Sequence, residues 1–159
     1  MTIKSMFDYL KTTWTDYIQP MMRRPRRLQV AALCFRRTGE EGCQILLITS
    51  RGTGRWIIPK GWPITGRDAP GSAMQEAWEE AGLLRGRVEQ EPVGSYFYDK
   101  TYNSGFALPV ETLVYAVEVG ELADSFPEAS QRDRAWFTPA EAAERVNEPD
   151  LKTILRNFS

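Results

Sequence analysis

The chain has 159 residues, 42% of them hydrophobic and 26% charged, with a formal net charge of −1, which suits one globular domain able to bury roughly two thirds of its surface on folding. The charge balance excludes the global basic bias of a chain whose main partner is nucleic acid, and the absence of histidine excludes imidazole-activated nucleophiles and histidine metal sites. No segment approaches the ~18 apolar residues of a membrane span and the N-terminus lacks the unbroken apolar core of a signal peptide, so a cytoplasmic location is expected.

Residues 5–20 read as an amphipathic helix. Phe7, Leu10, Trp14, Tyr17 and Met21 recur at helical steps, and Pro20 limits it. Its mixed charges at Lys4, Asp8, Lys11 and Asp16 suit packing or a homodimer contact better than a membrane surface. Arg23, Arg24, Arg26 and Arg27 follow, with Arg36 and Arg37 beyond them, as a solvated charge run; phosphate steering is the alternative. Residues 1–27 are therefore expected to be an N-terminal helix with a basic linker, and 28–159 the main domain.

From Leu28 to Phe35, and again from Gln44 to Thr49, β-branched and aliphatic runs predict buried strands. Cys34 and Cys43 lie in or beside them without paired-ligand spacing, as reduced packing residues. Gly52-Thr53-Gly54 reads as a turn before the short strand Trp56-Ile57-Ile58, which Pro59 stops. Residues 61–67 form a loop, and a helix follows from about Ala69 to Ala81. Asp68 is placed as its N-cap, Pro70 in its first turn and Gly82 at its end. Strand-like stretches return at 86–99, 109–119 and Arg134 to Phe137. Thr138-Pro139-Ala140-Glu141 is a helix-start signal, and a last helix covers Asp150 to Asn157. Strands and helices alternate without repeat, which argues for one layered α/β domain.

The helix at 69–81 carries the chemistry. At roughly 100° per residue, Glu76, Glu79 and Glu80 share one face, while Ala73, Met74, Ala77, Trp78 and Ala81 cover the other. Carboxylates at this spacing repel by a few tenths of a kcal/mol per pair, and the last two lie where the helix dipole disfavours negative charge. Solvation of an exposed acidic face is the ordinary explanation. A hard divalent cation, which prefers a few carboxylates and keeps an open side for substrate phosphates, is the competing one.

Gly61, then Arg67, then Gln75-Glu76-Ala77-Trp78-Glu79-Glu80-Ala81-Gly82-Leu83 resembles the Nudix box: Gly, five residues, Glu, seven residues, Arg-Glu-hydrophobic-any-Glu-Glu-any-Gly-hydrophobic. The spacing is kept throughout. Two positions depart from it. Arg67 stands where the family usually has Glu, and Gln75 where it usually has an Arg that orients the neighbouring glutamate. Leu46 to Gly61 and Arg134 to Ala142 also look like the corresponding segments of diphosphoinositol-polyphosphate and diadenosine-polyphosphate hydrolases.

The resemblance implies an α/β fold, the Nudix-type α/β/α sandwich with a mixed β-sheet and an acidic catalytic helix. It also implies a metal-dependent hydrolase cleaving a phosphoanhydride bond in a small nucleoside or inositol polyphosphate linked through a diphosphate, with Mg2+ or Mn2+ as cofactor. Glu79 and Glu80 are then the expected main metal ligands, Glu76 a ligand or the base that takes the water's proton, and the Lys60 carbonyl a further ligand. A carboxylate from a later loop often completes such sites, with Glu128 chosen ahead of Glu121 and Glu118. Arg51, Arg55, Lys60 and Arg67 are candidates to hold substrate phosphates. Tyr96, Phe97, Tyr98 and Tyr102 are candidates to line the cleft, although packing is the commoner use of such residues. Because Arg67 and Gln75 break the pattern, a non-catalytic nucleotide- or polyphosphate-binding module is the alternative.

Overall fold

A run as apolar as Leu28–Phe35 suits a strand covered on both faces. In the computed structural model, which describes residues 27–40 and 42–159, every residue from Gln29 to Phe35 is buried. The described elements, in chain order, are β1 (Leu28–Thr38), β2 (Gly42–Thr49), β3 (Trp56–Ile57), β4 (Lys60–Gly61), α1 (Ala69–Ala81), β5 (Leu83–Val88), β6 (Gly94–Thr101), β7 (Ala107–Leu122), β8 (Arg134–Phe137), α2 (Pro139–Arg145) and α3 (Pro149–Arg156). The helix expected over 5–20 and its linker lie outside the described residues.

The strands form one sheet in the order β3-β2-β1-β7-β5, with β4 beside β1, β6 beside β7 and β8 beside β2. β1 and β7 run parallel and the other pairs antiparallel, so the sheet is mixed. Side chains alternate between its faces. Ala31, Leu33 and Phe35 of β1 join Ile45 and Leu47 of β2 in a core shared with Ala142, Ala143, Leu151 and Leu155 of α2 and α3. Val30, Ala32, Cys34, Leu46 and Ile48 face the other way, against Ala73, Ala77 and Ala81 of α1. Helices on both faces make this an α/β/α sandwich, as the resemblance implies. Trp78, also expected on the apolar side of α1, is only half-buried.

Local signals explain the helix boundaries. The Asp68 carboxylate accepts the Gly71 N–H at 2.8 Å, and Gly82 ends α1 at φ 77°. A side chain at 82 would also meet the Phe126 ring and the Arg134 guanidinium, so two constraints select glycine there. Thr138 and Glu141 form the reciprocal capping box of α2.

Two expectations need correction. The single strand expected over 86–99 is two, β5 and β6, which lie end to end along β7. Val88 pairs with Val117 and Gly94 with Val114, so 89–93 must bulge opposite only Tyr115 and Ala116; Pro92, with no N–H to give, sits in that bulge. The loop expected over 61–67 also starts too early. Gly61 pairs with Val30, and Lys60 with Ala31, as the short β4. Cys34 and Cys43 are buried and unpaired, and burial pushes the Cys34 thiol up to about 12, as befits packing residues. Among the described residues no helix is long and apolar enough to cross a membrane.

Candidate active site

The β4 edge and α1 lock together before any ligand is considered. The Lys60 N–H donates to the Glu80 carboxylate at 3.0 Å, and the Ile64 N–H donates to the hydroxyl of Ser72 at 2.9 Å. Gly61 is required by proximity: a Cβ there would collide with the Glu76 carboxyl. The opening glycine of the box is thus a clearance for one of its own glutamates.

These contacts form one wall of a cleft of about 480 Å³. Glu76, Glu79 and Glu80 project into it from α1, and Glu128 enters from the connection between β7 and β8. Arg51, Lys60, Lys100 and Arg132 bring positive charge to the same space, with Gln29, Trp62 and Tyr98 beside them. Lys60 Nζ lies 4.6 Å above the Tyr98 ring and Lys100 Nζ 5.1 Å above that of Trp62. The Tyr98 hydroxyl donates to Gln29 Oε1 at 2.5 Å.

The acid face is held by an ordered set of donors. Gln75 Nε2 donates to Glu79 Oε1 at 2.9 Å, as its place one turn earlier suggests. Arg132 Nη2 lies 3.3 Å from Glu80 Oε1 and 3.2 Å from Glu128 Oε1, while its Nη1 donates to the Thr49 carbonyl at 3.0 Å. The Glu128 N–H donates to the carbonyl of Glu79 at 3.0 Å, and Arg51 Nη1 lies 3.1 Å from Glu128 Oε1. Burial, followed by repulsion from Glu80, Glu79 and Glu128, pushes Glu76 up to about 7. Burial also pushes Glu80 up to about 7, against the pull of Arg132 and the Lys60 N–H. Burial lowers the Lys60 ammonium below its ordinary range.

The structure therefore brings Glu76, Glu79, Glu80, Glu128, Arg51 and Lys60 to one place. Arg55 and Arg67 do not line the cleft. Arg55 Nη1 is bound at 2.7 Å to Glu148, whose side chain is 8% exposed, so its charge is committed to that pair. Arg67 closes a turn through its N–H to the Ile64 carbonyl at 3.1 Å, and its side chain is exposed. Of the aromatic candidates, Tyr98 lines the cleft, Tyr96 is in the core, Phe97 is exposed, and the Tyr102 hydroxyl accepts from Arg27. Gly52-Thr53-Gly54 is a turn closed by Gly54 N–H to the Ser50 carbonyl.

Arg132, Lys100, Trp62 and Gln29 escaped the sequence reading. Trp62, directly after Gly61, was the one with a local signal. The others arrive through long-range pairing.

Among the described residues, no group of three or more His, Cys, Asp or Glu side chains stands ready as a metal cage. Gln75 engages Glu79, Arg132 and the Lys60 N–H engage Glu80, and Arg132 also holds Glu128. The donor set itself consists of hard oxygens facing one open cleft, the chemistry that magnesium or manganese accepts. Two glutamates with raised proton affinity are also groups whose charge a divalent cation would relieve. The residues fit such an ion once those carboxylates turn toward it.

An α/β/α sandwich that aims the acid face of one helix across a glycine entry strand is a recognised architecture, and the sequence comparisons give it a name. The model of the NUDIX domain matches residues 25–158, and the chain belongs to the Nudix family. It is 32% identical to the Nudix hydrolase 16, mitochondrial, of Arabidopsis thaliana over 70% of this chain and 63% of that protein. It is 31% identical to the Homo sapiens diphosphoinositol polyphosphate phosphohydrolase 3-beta over 72% of this chain and 65% of that protein. The matched region thus spans slightly less than two thirds of each relative. Among solved structures, the C. elegans Ap4A hydrolase superposes with a TM-score of 0.59 at 17% identity, over 83% of this chain and 95% of that one. The E. coli dihydroneopterin triphosphate pyrophosphohydrolase gives 0.61 at 12% identity, over 85% and 97%. At such identities the likeness is one of fold.

Proposed function

We propose that the protein is a divalent-metal-dependent hydrolase that uses water to cleave a phosphoanhydride bond in a nucleoside or inositol polyphosphate. The observation that carries this reading is the convergence of four carboxylates and four cationic side chains on one cleft, within a family whose hydrolases use divalent metal. A polyphosphate needs both signs: cations for its own oxygens, and carboxylates for the ion that neutralises the reacting group.

A bound magnesium or manganese ion would neutralise charge on the phosphoryl oxygens and acidify a water. Glu79, Glu80, Glu128 and the Lys60 carbonyl would hold it. Glu76 lines the cleft beside these ligands and suits the base that takes the attacking water's proton. Arg51 and Lys100 stand at the cleft to bind the remaining phosphates, and the Lys60 ammonium adds to their field. The two buried, unpaired thiols suit a reducing compartment such as the cytoplasm.

The binding-module alternative draws its force from Arg67 and Gln75. Its support weakens because Arg67 does not line the cleft and Gln75 still bonds Glu79. Phosphate release from dinucleoside polyphosphates, nucleoside triphosphates, nucleotide sugars and inositol pyrophosphates, each with magnesium and with excess chelator, tests the proposal. Magnesium-dependent turnover of at least one is expected. Tight binding across the panel without turnover would establish the binding module instead.

A further inference from the structure

We propose that Arg132 is a positioning residue for the metal site, holding Glu80 of α1 and Glu128 of the β7–β8 connection in one arrangement. It would supply the cation that the box itself lacks, because position 75 carries a glutamine. This inference rests on the metal-dependent reading above.

Three features single out this arginine. Its side chain is 6% exposed, so its charge is directed at protein groups. One guanidinium joins three separate pieces of the fold: Nη1 bonds the Thr49 carbonyl at the end of β2, and Nη2 lies within 3.3 Å of both Glu80 and Glu128. Only a planar fork of several donors can make such a set at once; a lysine offers a single point charge. Finally, the backbone beside it is fixed. The Asp133 N–H donates to the Thr49 hydroxyl at 2.8 Å, and the Thr49 N–H to the Asp133 carbonyl at 3.0 Å.

Other donors near the acid face cannot substitute. Gln75 is neutral and reaches Glu79. Arg51 also approaches Glu128, but its side chain is 59% exposed and its hold is correspondingly weak. Without Arg132, the Lys60 ammonium would remain near Glu80 and the exposed Arg51 near Glu128, but among the described residues no single cation would join Glu80 to Glu128. They would then separate. The guanidinium also repels an incoming divalent ion, so orientation and repulsion make opposite predictions for metal affinity. A side chain with so many fixed partners acts chiefly by orientation, in the manner of the outer-shell groups that set metal ligands.

The test is Mn2+ binding to the full chain after chelator treatment, read from the electron paramagnetic resonance of free Mn2+. Arg132→Gln should weaken binding by about 10- to 100-fold, the usual loss when such an outer-shell partner is removed. Arg132→Lys should lose about tenfold by the same reasoning. Far-UV circular dichroism verifies the fold, and if the glutamine variant does not fold the lysine variant decides. A merely structural role would lower the melting temperature and leave the Mn2+ affinity of the folded protein unchanged. Unchanged or tighter binding in a folded variant overturns the proposal. A natural chain that binds no Mn2+ overturns the metal-dependent reading and this proposal with it.

Discussion

Helix α1 brings Glu76, Glu79 and Glu80 to the cleft on a regular backbone, whereas Glu128 and Arg132 arrive on 123–133, a connection without regular structure. The helical wall is placed by its caps and by Ala73, Ala77 and Ala81 against the sheet, so its position is set by the same burial that stabilises the domain. The opposite wall is placed by a few specific bonds: Glu128 N–H to the Glu79 carbonyl, Arg132 to Thr49, and Thr49 with Asp133. One wall can move only if the core moves. The other can shift when single hydrogen bonds are lost, and that lower local stability is what a substrate-dependent rearrangement of ligands requires.

The sharpest way to break this comparison is to change the chemistry of the helical wall while leaving its packing alone. Glu80→Gln keeps the shape and removes the charge. Turnover should fall by about 10²- to 10³-fold, the range for removing one group that stabilises transition-state charge, here through the ion Glu80 would hold. The metal-free protein should keep its fold with a modestly lower melting temperature, because glutamine retains an oxygen for the Lys60 N–H while the buried Arg132 loses one of its two carboxylates. Steady-state kinetics beside a thermal melt separate the two effects. A variant that loses its fold but keeps its turnover per folded molecule would show the acid face to be structural.

Arg55 sharpens the comparison from outside the cleft lining, because its charge is committed to Glu148. Arg55→Ala should cost about 2–3 kcal/mol in urea unfolding, below the ~3–5 kcal/mol for one partner of a fully buried pair since Arg55 is partly exposed. Among the described residues one Glu148 oxygen already lacks a hydrogen-bond partner, so losing the arginine would leave the carboxylate still poorer. The Michaelis constant should stay within about twofold, since a raised value reports lost substrate binding and Arg55 does not line the cleft. A tenfold rise at unchanged stability would return Arg55 to the substrate site.

The same division explains what could be read from sequence. The acid face, the Asp68 and Gly82 caps and the Thr138 capping box are governed by spacings of three or four residues, and all were legible. Glu128 followed from family resemblance without a local pattern. Arg132 could not be found, because its meaning depends on Thr49 and Glu80, distant in sequence and joined only when β8 pairs with β2. Arg55 was a candidate to hold substrate phosphates, and nothing local shows its pairing with Glu148, 93 residues away. The run 86–99 has strand character throughout, and only the pairing along β7 shows that 89–93 must bulge.

The smallest expected effect concerns Arg67, the charge reversal within the box. From sequence it was a candidate to hold substrate phosphates. The structure puts its side chain in solvent, on a turn held by its backbone N–H, and not among the groups lining the cleft. Whatever field it exerts there must act through water, where mobile ions screen exposed charges. Arg67→Ala should therefore change the Michaelis constant by less than about twofold at ~0.15 M salt and leave metal dependence unaltered. Any difference should appear only as ionic strength is lowered and should disappear as it is raised. Gln75→Ala is the internal contrast, since its amide is bonded to Glu79; it should slow turnover several-fold at every salt concentration, about the ~1 kcal/mol value of one such hydrogen bond. A salt-independent rise of more than about fivefold for Arg67→Ala, over 0.9 kcal/mol by the usual conversion, would mean that the 61–67 loop closes over substrate and carries Arg67 to the phosphates.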